Sequence, residues 1–146
     1  MKILITGGGG FIGTAVKDIL LKNGHSVKLL DINLREESNR KDVEHIQGSI
    51  LDKYIVSEAV KGCDAVIHLA AMLGVRKTDK LTLQCLNINI EGSINIFDAC
   101  VKERVKRIIF SSSSEVYGES NFEFILENSP IQPKSVYAVT KIAAEE

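Results

Sequence analysis

The sequence predicts an α/β fold in which helices cover both faces of a doubly wound parallel sheet. Apolar runs of strand length alternate with segments of helical periodicity along all 146 residues. A glycine-rich turn at residues 6–13 joins the first apolar run to the first helical segment. Such alternation is typical of right-handed crossovers between parallel strands. The length is that of one domain, which we expect to cover residues 1–146.

The first strand and the first helix flank the glycine turn. Residues 2–5 have the aliphatic composition of a buried parallel strand, and apolar residues recur at helical spacing from Phe11 until Asn23-Gly24 provides a stop. The turn therefore places unpaired backbone N–H groups, and the positive end of a helix dipole, beside a gap that has no side chains. This arrangement predicts a phosphate site.

The glycine motif fits two registers, which share Gly10 and Gly13. With Gly8 they match a G-x-G-x-x-G pattern, and with Gly7 they match G-x-x-G-x-x-G. Either register supplies a tight turn and a close approach to a pyrophosphate. A glycine-rich surface turn without function is the alternative.

Asp31 strengthens the prediction of a dinucleotide site. It ends the second apolar run, residues 27–30, at the distance from the glycines where a ribose-binding carboxylate belongs. A carboxylate there accepts hydrogen bonds from ribose hydroxyls and repels a 2′-phosphate, which favours NAD over NADP. Arg35 and Arg40 leave NADP open as the alternative.

The later elements alternate in the same way. A polar segment up to Asp42 is predicted to be a loop over the adenosine side of the site. Further elements are predicted as a strand at 45–47, a helix at 52–62, a strand at 64–71, a helix at 80–102, a strand at 107–110 and a helix from 135 onward. On the long helix one face carries Leu83, Leu86, Ile90, Ile94, Phe97 and Val101.

The last predicted helix stops without a cap. Glu145 and Glu146 occupy positions where the helix dipole disfavours negative charge. We therefore expect that the chain is cut within this helix and that the strand which should follow lies outside these residues.

Composition excludes several classes of function. The 18 basic and 19 acidic residues balance and aromatic residues make up only 5%, so nucleic acid is not an expected partner. No stretch has the length of a membrane span and the N-terminus carries no signal segment, so we expect a cytosolic protein. Cys63, Cys85 and Cys100 lack C-x-x-C spacing and the three histidines are scattered, so neither disulfides nor a metal site is predicted.

A second informative pattern combines a serine-rich strand end with a tyrosine and a lysine. Four serines at 111–114 follow the fifth predicted strand, and Tyr137 and Lys141 lie four residues apart on the last predicted helix. Residues at that spacing share one helix face, so we expect the Lys141 ammonium to lower the pKa of the Tyr137 phenol. On its own this spacing is common by chance and would indicate only a half-exposed tyrosine beside a solvated lysine.

Together these motifs resemble the extended short-chain dehydrogenase/reductase superfamily, in particular its NAD-dependent sugar-nucleotide epimerases and dehydratases, which have the Rossmann fold. The resemblance runs over all 146 residues. It rests on five motifs, at residues 6–13 (TGGGGFIG), 68–71 (HLAA), 89–93 (NIEGS), 112–118 (SSSEVYG) and 137–141 (YAVTK).

The resemblance implies a tightly held NAD and favours the G-x-x-G-x-x-G register. It assigns cofactor contacts to Gly7, Gly10, Phe11, Ile12, Gly13, Asp31, Ser49, Ile50, Leu69, Ala70, Ala71, Asn89, Tyr137 and Lys141. Within this set the amides of Phe11 and Ile12 would lie at the pyrophosphate, and Lys141 would reach the nicotinamide ribose. Family members often carry an aspartate where Ser49 follows Gly48, so we expect weaker adenine recognition here.

The resemblance also implies a mechanism on a nucleotide-sugar substrate. Tyr137, as phenolate, would take the proton from a sugar hydroxyl while hydride passes to the nicotinamide. Ser113 would hydrogen-bond the same oxygen, and Lys141 would favour the phenolate. Return of hydride to the opposite face of the keto-sugar would give an epimer, so we expect an epimerase.

Glu115 and the length of the chain leave alternatives open. Simple epimerases of the family usually have an uncharged residue at this position, whereas dehydratases and sugar-acid decarboxylases with a similar run carry a carboxylate. Glu115 would then remove the acidic proton beside a keto group and open elimination or decarboxylation. The family's C-terminal substrate-binding region has no counterpart in residues 1–146, so a non-catalytic NAD-binding module is the alternative from another class. A homodimer that pairs helix 80–102 with the helix from 135 is also implied.

Overall fold

The structure, a computed structural model, describes residues 1–34, 41–119 and 124–146. Within these ranges five strands form one parallel sheet in the order β3-β2-β1-β4-β5. The strands are β1 (Lys2–Thr6), β2 (Ser26–Asp31), β3 (Val43–Gln47), β4 (Ala65–His68) and β5 (Arg107–Phe110). The five predicted strands are confirmed, although β4 ends at His68 and leaves residues 69–71 outside the sheet.

Helices connect the strands. The described α-helices are α1 (Phe11–Lys22), α2 (Lys53–Val60), α3 (Val75–Lys80), α4 (Thr82–Leu86), α5 (Gly92–Lys102) and α6 (Val136–Glu145). Asp52 caps the N-terminus of α2 by accepting hydrogen bonds from two backbone N–H groups, and Ser135 caps α6 by accepting one from Ala138. In the part of the chain that the structure describes, no helix is long and apolar enough to cross a membrane.

Both faces of the sheet are covered, as a doubly wound fold requires. Neighbouring residues of β1 face opposite sides, so Ile5 packs with Val16 and Leu20 of α1, whereas Leu4 lies in the larger cluster with Val56 of α2 and Ile96 of α5. The predicted α/β class is therefore confirmed.

The predicted helix at 80–102 is helical from Thr82 to Lys102, with an unpredicted π-helical turn at Asn87–Glu91 between α4 and α5. A separate helix, α3, precedes it and ends at Lys80. Much of the predicted apolar face points outward, since Leu83 is 77% and Val101 76% exposed. The buried face is instead mostly small or polar, and a Cβ at Gly92 would overlap the side chain of Ile50. It comprises Cys85, Asn89, Gly92, Ser93, Asn95, Ile96, Ala99 and Cys100.

The order of the strands determines where a ligand can bind. The chain runs from β1 outward to β2 and β3, then returns to β4 on the other side of β1. The order therefore reverses between β1 and β4, and ligands of such sheets bind at the carboxyl ends of the strands at this point. Residues 35–40 of the predicted adenosine loop, including Arg35 and Arg40, lie outside the described residues.

Candidate active site

The glycine turn brings the ends of the two central strands close together. Gly7 follows β1 with φ of 71°, and its N–H donates to the carbonyl of Leu30 at 2.8 Å. A Cβ at Gly7 would lie 2.8 Å from the backbone nitrogen of Ala70, which follows β4. A Cβ at Gly13 would overlap the carbonyl of Gly7. Gly13 belongs to both registers, so it is the positive φ of Gly7 and its close approach to the backbone of Ala70 that favour the G-x-x-G-x-x-G register.

The N-terminus of α1 is open to a ligand. Its N-cap residue is Gly10, and no described side chain caps it. The first-turn amides of Phe11 and Ile12 therefore have no partner from a cap, and the Phe11 side chain is 95% exposed. Unpaired N–H groups at the positive end of a helix dipole fit a pyrophosphate.

A cleft of about 660 Å³ opens beside this turn. Its lining includes eight of the predicted cofactor residues, which are Gly7, Gly10, Asp31, Ser49, Ile50, Leu69, Ala70 and Ala71. These residues come from the ends of different strands, and the fold brings them together at the switch point. The volume is that of a small-molecule site.

Asp31 accepts two backbone hydrogen bonds that the sequence analysis did not predict. Its Oδ2 accepts a hydrogen bond from the N–H of Gly9 at 3.0 Å, and its Oδ1 accepts one from the N–H of Asn33 at 3.0 Å. The carboxylate that faces the cleft thus also holds the glycine turn in place. The Asp-x-Asn spacing is a local turn signal that would have indicated the bond to Asn33.

Two of the other predicted cofactor residues bond to the protein itself. Ser49 lines the cleft, and its hydroxyl accepts a hydrogen bond from the N–H of Leu51 at 3.1 Å. Asn89 is only 3% exposed, and its amide bonds to Met72 and Thr140 rather than lining the cleft. Direct contact between Asn89 and a cofactor remains a prediction that this geometry does not support.

The predicted catalytic side chains lie together. Ser113 precedes a 3₁₀ turn at Ser114–Tyr117 and forms a side-chain hydrogen bond with Tyr137. The Nζ of Lys141 lies 5.6 Å from the centre of the Tyr137 ring and donates to the carbonyl of Ser111 at 2.8 Å. Residues from α6 and from the end of β5 therefore form one polar group.

The pKa values of this group differ from the expectation. Burial raises the pKa of Tyr137, and although the hydrogen bond with Ser113 lowers it, the charges of Glu115 and Cys85 add to the increase. The expected lowering of this pKa by Lys141 was therefore wrong, since Lys141 is not among the groups that shift it. Burial also lowers the pKa of Lys141 to about 8, against opposing contributions from Cys85 and Glu145.

A buried histidine was missed as a site residue. His68 is almost fully buried, with Nδ1 2.5 Å from Thr6 Oγ1 and Nε2 3.0 Å from Ser93 Oγ. Burial, and then the charge of Lys141, lower its pKa to about 4. The only sequence signal for His68 was the H-L-A-A motif. This motif alone does not indicate that the imidazole ring connects two strands to a helix.

A cleft at the switch point of a doubly wound sheet, beside an open helix N-terminus and a carboxylate, defines a dinucleotide-binding α/β protein. The family model described as the NAD dependent epimerase/dehydratase family matches residues 3–146, and the chain belongs to this family. The resemblance found in the sequence is thereby confirmed, and NAD as cofactor is confirmed at the level of the family.

Individual relatives have different activities. The chain is 39% identical over 128 residues to UDP-N-acetyl-alpha-D-glucosaminuronate decarboxylase of Bacillus cytotoxicus, covering 84% of this chain and 40% of the relative. It is 30% identical to UDP-glucose 4-epimerase of Corynebacterium glutamicum, and the match covers 99% of this chain and 45% of the relative. The solved structure of MoeE5 in complex with UDP-glucuronic acid and NAD superimposes on this chain with a TM-score of 0.91 at 31% identity. The match covers 99% of this chain and 47% of the MoeE5 chain. The chain thus spans about half the length of the relatives it matches.

Proposed function

We propose that this chain binds NAD and carries the catalytic group of a sugar-nucleotide epimerase. The observation that carries the proposal is the proximity of Ser113, Tyr137 and Lys141, which lie with the cleft at the carboxyl ends of the strands. Support also comes from the relative named UDP-glucose 4-epimerase and from the neighbour solved with NAD.

Different residues of the cleft would contact different parts of NAD. The free amides of Phe11 and Ile12 would bind the pyrophosphate. Asp31 would accept hydrogen bonds from ribose hydroxyls, since each carboxylate oxygen has a second lone pair beside the one used by the backbone. Ala70 and Ala71 leave room above β4. When bound, NAD supplies a hydride acceptor and a positively charged ring.

Tyr137 would act as the general base on a sugar hydroxyl. Its raised pKa means that the phenol is protonated at neutral pH, so added positive charge is required to form the phenolate. The positively charged ring of bound NAD would supply that charge, beside the Lys141 ammonium, which a pKa of about 8 leaves mostly protonated at neutral pH. Ser113 would hydrogen-bond the same substrate oxygen and hold it beside the phenol.

The assay for this proposal follows conversion of UDP-glucose and UDP-glucuronic acid. It uses both the 146-residue chain and the longest polypeptide that contains it. We expect interconversion of 4-epimers without net consumption of NAD, and a loss of about 100-fold or more in kcat for Tyr137→Phe. Tyr54→Phe is the matched control, because Tyr54 is exposed on α2 and does not line the cleft. Full activity in Tyr137→Phe would contradict the proposal, and NAD binding with no conversion of any nucleotide sugar would favour a non-catalytic module.

Elimination or decarboxylation is the second candidate, and Glu115 favours it. The charge of Glu115 raises the pKa of Tyr137, so this carboxylate acts on the proposed base. One relative is a decarboxylase of a UDP-sugar acid. Replacement of Glu115 by Gln should then abolish the product while reduced nicotinamide still forms. Glu119→Gln is the control carboxylate, since Glu119 is exposed and pairs with Lys134. Unchanged turnover in Glu115→Gln would remove Glu115 from the mechanism.

We also propose that the protein is a cytosolic homodimer. Apolar side chains are exposed on α5 and α6, including Ile94, Val101 and Val139. A face of this kind favours burial against a second copy. The three cysteines are buried and free, which suits a reducing compartment. Gel filtration should give a dimer, and a strict monomer at high concentration would contradict this part of the proposal.

A further inference from the structure

We infer that Asn89 and Thr140 position the catalytic helix α6 against the wall of the cofactor cleft, so that NAD binding stabilises α6. The inference deepens the proposed function and rests on it, because it requires NAD in the cleft. Asn89 and Thr140 are treated as positioning residues, since their bonds are to other parts of the protein.

On one side Asn89 holds the cleft wall. Its Oδ1 accepts a hydrogen bond from the N–H of Met72 at 2.7 Å, and its Nδ2 donates to the carbonyl of Met72 at 3.2 Å. Met72 is buried and lines the cleft just after Ala71. One amide therefore pairs with both backbone groups of one residue, as a neighbouring strand would.

On the other side Asn89 holds the catalytic helix. Its Nδ2 also donates to Thr140 Oγ1 at 3.0 Å, and the Thr140 hydroxyl donates to the carbonyl of Tyr137 at 2.7 Å. Thr140 is fully buried and lies between Tyr137 and Lys141 on α6. The contact therefore acts on the helical turn that carries both proposed catalytic side chains.

The same network continues to the glycine turn. The carbonyl of Asn89, within the π-helical turn, accepts a hydrogen bond from Ser93 Oγ at 2.6 Å. Ser93 Oγ lies 3.0 Å from His68 Nε2, and His68 Nδ1 lies 2.5 Å from Thr6 Oγ1, which accepts the N–H of Ala70 at 3.2 Å. The end of β1, the end of β4 and α6 are thus joined through one set of buried bonds.

A buried network in which every group is paired favours one arrangement of its parts. Breaking one bond leaves a donor or acceptor unpaired in a low-dielectric interior, which is unfavourable. The cleft wall and α6 are therefore expected to open together rather than separately. A ligand that stabilises the wall then also stabilises α6, and a change in α6 alters the affinity for that ligand by the same factor.

The test is hydrogen exchange of the α6 amides, measured in the 146-residue chain with and without NAD. In the wild type we expect NAD to slow exchange in α6 by about 5- to 150-fold. Thr140→Val keeps the shape of the side chain and removes the hydroxyl. It should still bind NAD, with an affinity reduced by about 5-fold or more, and lose the protection of α6. Thr140→Ser restores a hydroxyl and should recover both effects, which a role in packing alone would not explain.

Several results would overturn the inference. If NAD binds the wild type without slowing hydrogen exchange in α6, the inference is overturned, even if none of the variants folds. Full protection of α6 in Thr140→Val would show that the coupling does not pass through this contact, while the proposed function would stand. Absence of NAD binding to the wild type would contradict the proposed function itself and remove the inference with it. Thr82→Val, whose hydroxyl bonds within its own turn, is the control and should match the wild type.

Discussion

The side-chain oxygen of Thr6 lies 2.5 Å from Nδ1 of His68, so the ends of the two central strands are bonded to each other inside the protein. The tautomer of the ring follows from its other partner. The hydroxyl of Ser93 donates to the carbonyl of Asn89, so it can only accept from His68 Nε2. His68 therefore carries its proton on Nε2 and accepts the hydroxyl proton of Thr6 at Nδ1.

His68 should remain neutral until the solution is strongly acidic. Burial lowers its pKa from 6.5 to about 4, so the unfolded state binds the proton first as the pH falls. The free energy of unfolding should then decrease by up to about 3 kcal/mol from this group between pH 6.5 and about 4. Nitrogen NMR of the ring should show the neutral Nε2–H form across this window. Protonation near pH 6.5 in the folded protein would contradict the assignment.

Gly7→Ala and Gly24→Ala separate backbone strain from steric overlap. Both glycines have positive φ, at 71° and 75°. A Cβ at Gly24 would meet no atom within 4 Å, whereas one at Gly7 would lie 2.8 Å from the nitrogen of Ala70. We expect Gly24→Ala to cost about 1–2 kcal/mol, and Gly7→Ala to cost more and to lose NAD binding. Urea denaturation and NAD titration of both variants test this, and equal effects would show that the close approach of Gly7 to Ala70 does not matter.

Local spacing in the sequence was enough to predict much of the fold and the site. The glycine turn, Asp31 at the end of β2, and Tyr137 with Lys141 on one helix each depend on residues that are close in the chain. The strands β1, β2 and β4 were predictable because both of their faces are buried, which produces continuous apolar runs. The edge strands β3 and β5 are largely exposed.

Features that depend on tertiary packing could not be predicted in this way. The π-helical turn around Asn89 interrupts a pattern with normal helical periodicity. On α5 the small residues face inward, with Gly92 in close contact with Ile50, while Ile94 and Val101 of the predicted apolar face are exposed. The pKa of Tyr137 rises because burial outweighs the hydrogen bond with Ser113, and burial is a property of the folded chain.

Asp31→Asn should change cofactor preference. The amide keeps one acceptor for the backbone of the glycine turn but removes the negative charge in the cleft. We expect NAD to bind more weakly and the ratio of NADP to NAD affinity to rise by about 10-fold, because a 2′-phosphate is no longer repelled. Calorimetric titration with both cofactors measures the ratio. The control is Asp64→Asn, since Asp64 bonds the N–H of Lys2 at the start of β1, and an unchanged ratio in Asp31→Asn would contradict the role of the charge.

Lys141→Met tests the cost of the buried ammonium. Burial lowers the pKa of Lys141 from 10.5 to about 8, so between these values the unfolded chain binds more protons than the folded one. The stability of the wild type should therefore rise with pH in this window, by up to about 3 kcal/mol relative to Lys141→Met. Denaturant titrations of both proteins at about pH 7.5 and about pH 10.5 give the difference. A difference that does not change with pH would show that the ammonium is not buried in solution.

The proposed NAD site is tested most directly by NMR titration of the 146-residue chain with NAD. The site predicts saturable binding at a single site, with the largest shifts at backbone amides of the glycine turn and the cleft, including Gly10, Phe11, Ile12, Ile50 and Ala70. Shifts confined to another surface, or no binding at all, would contradict it.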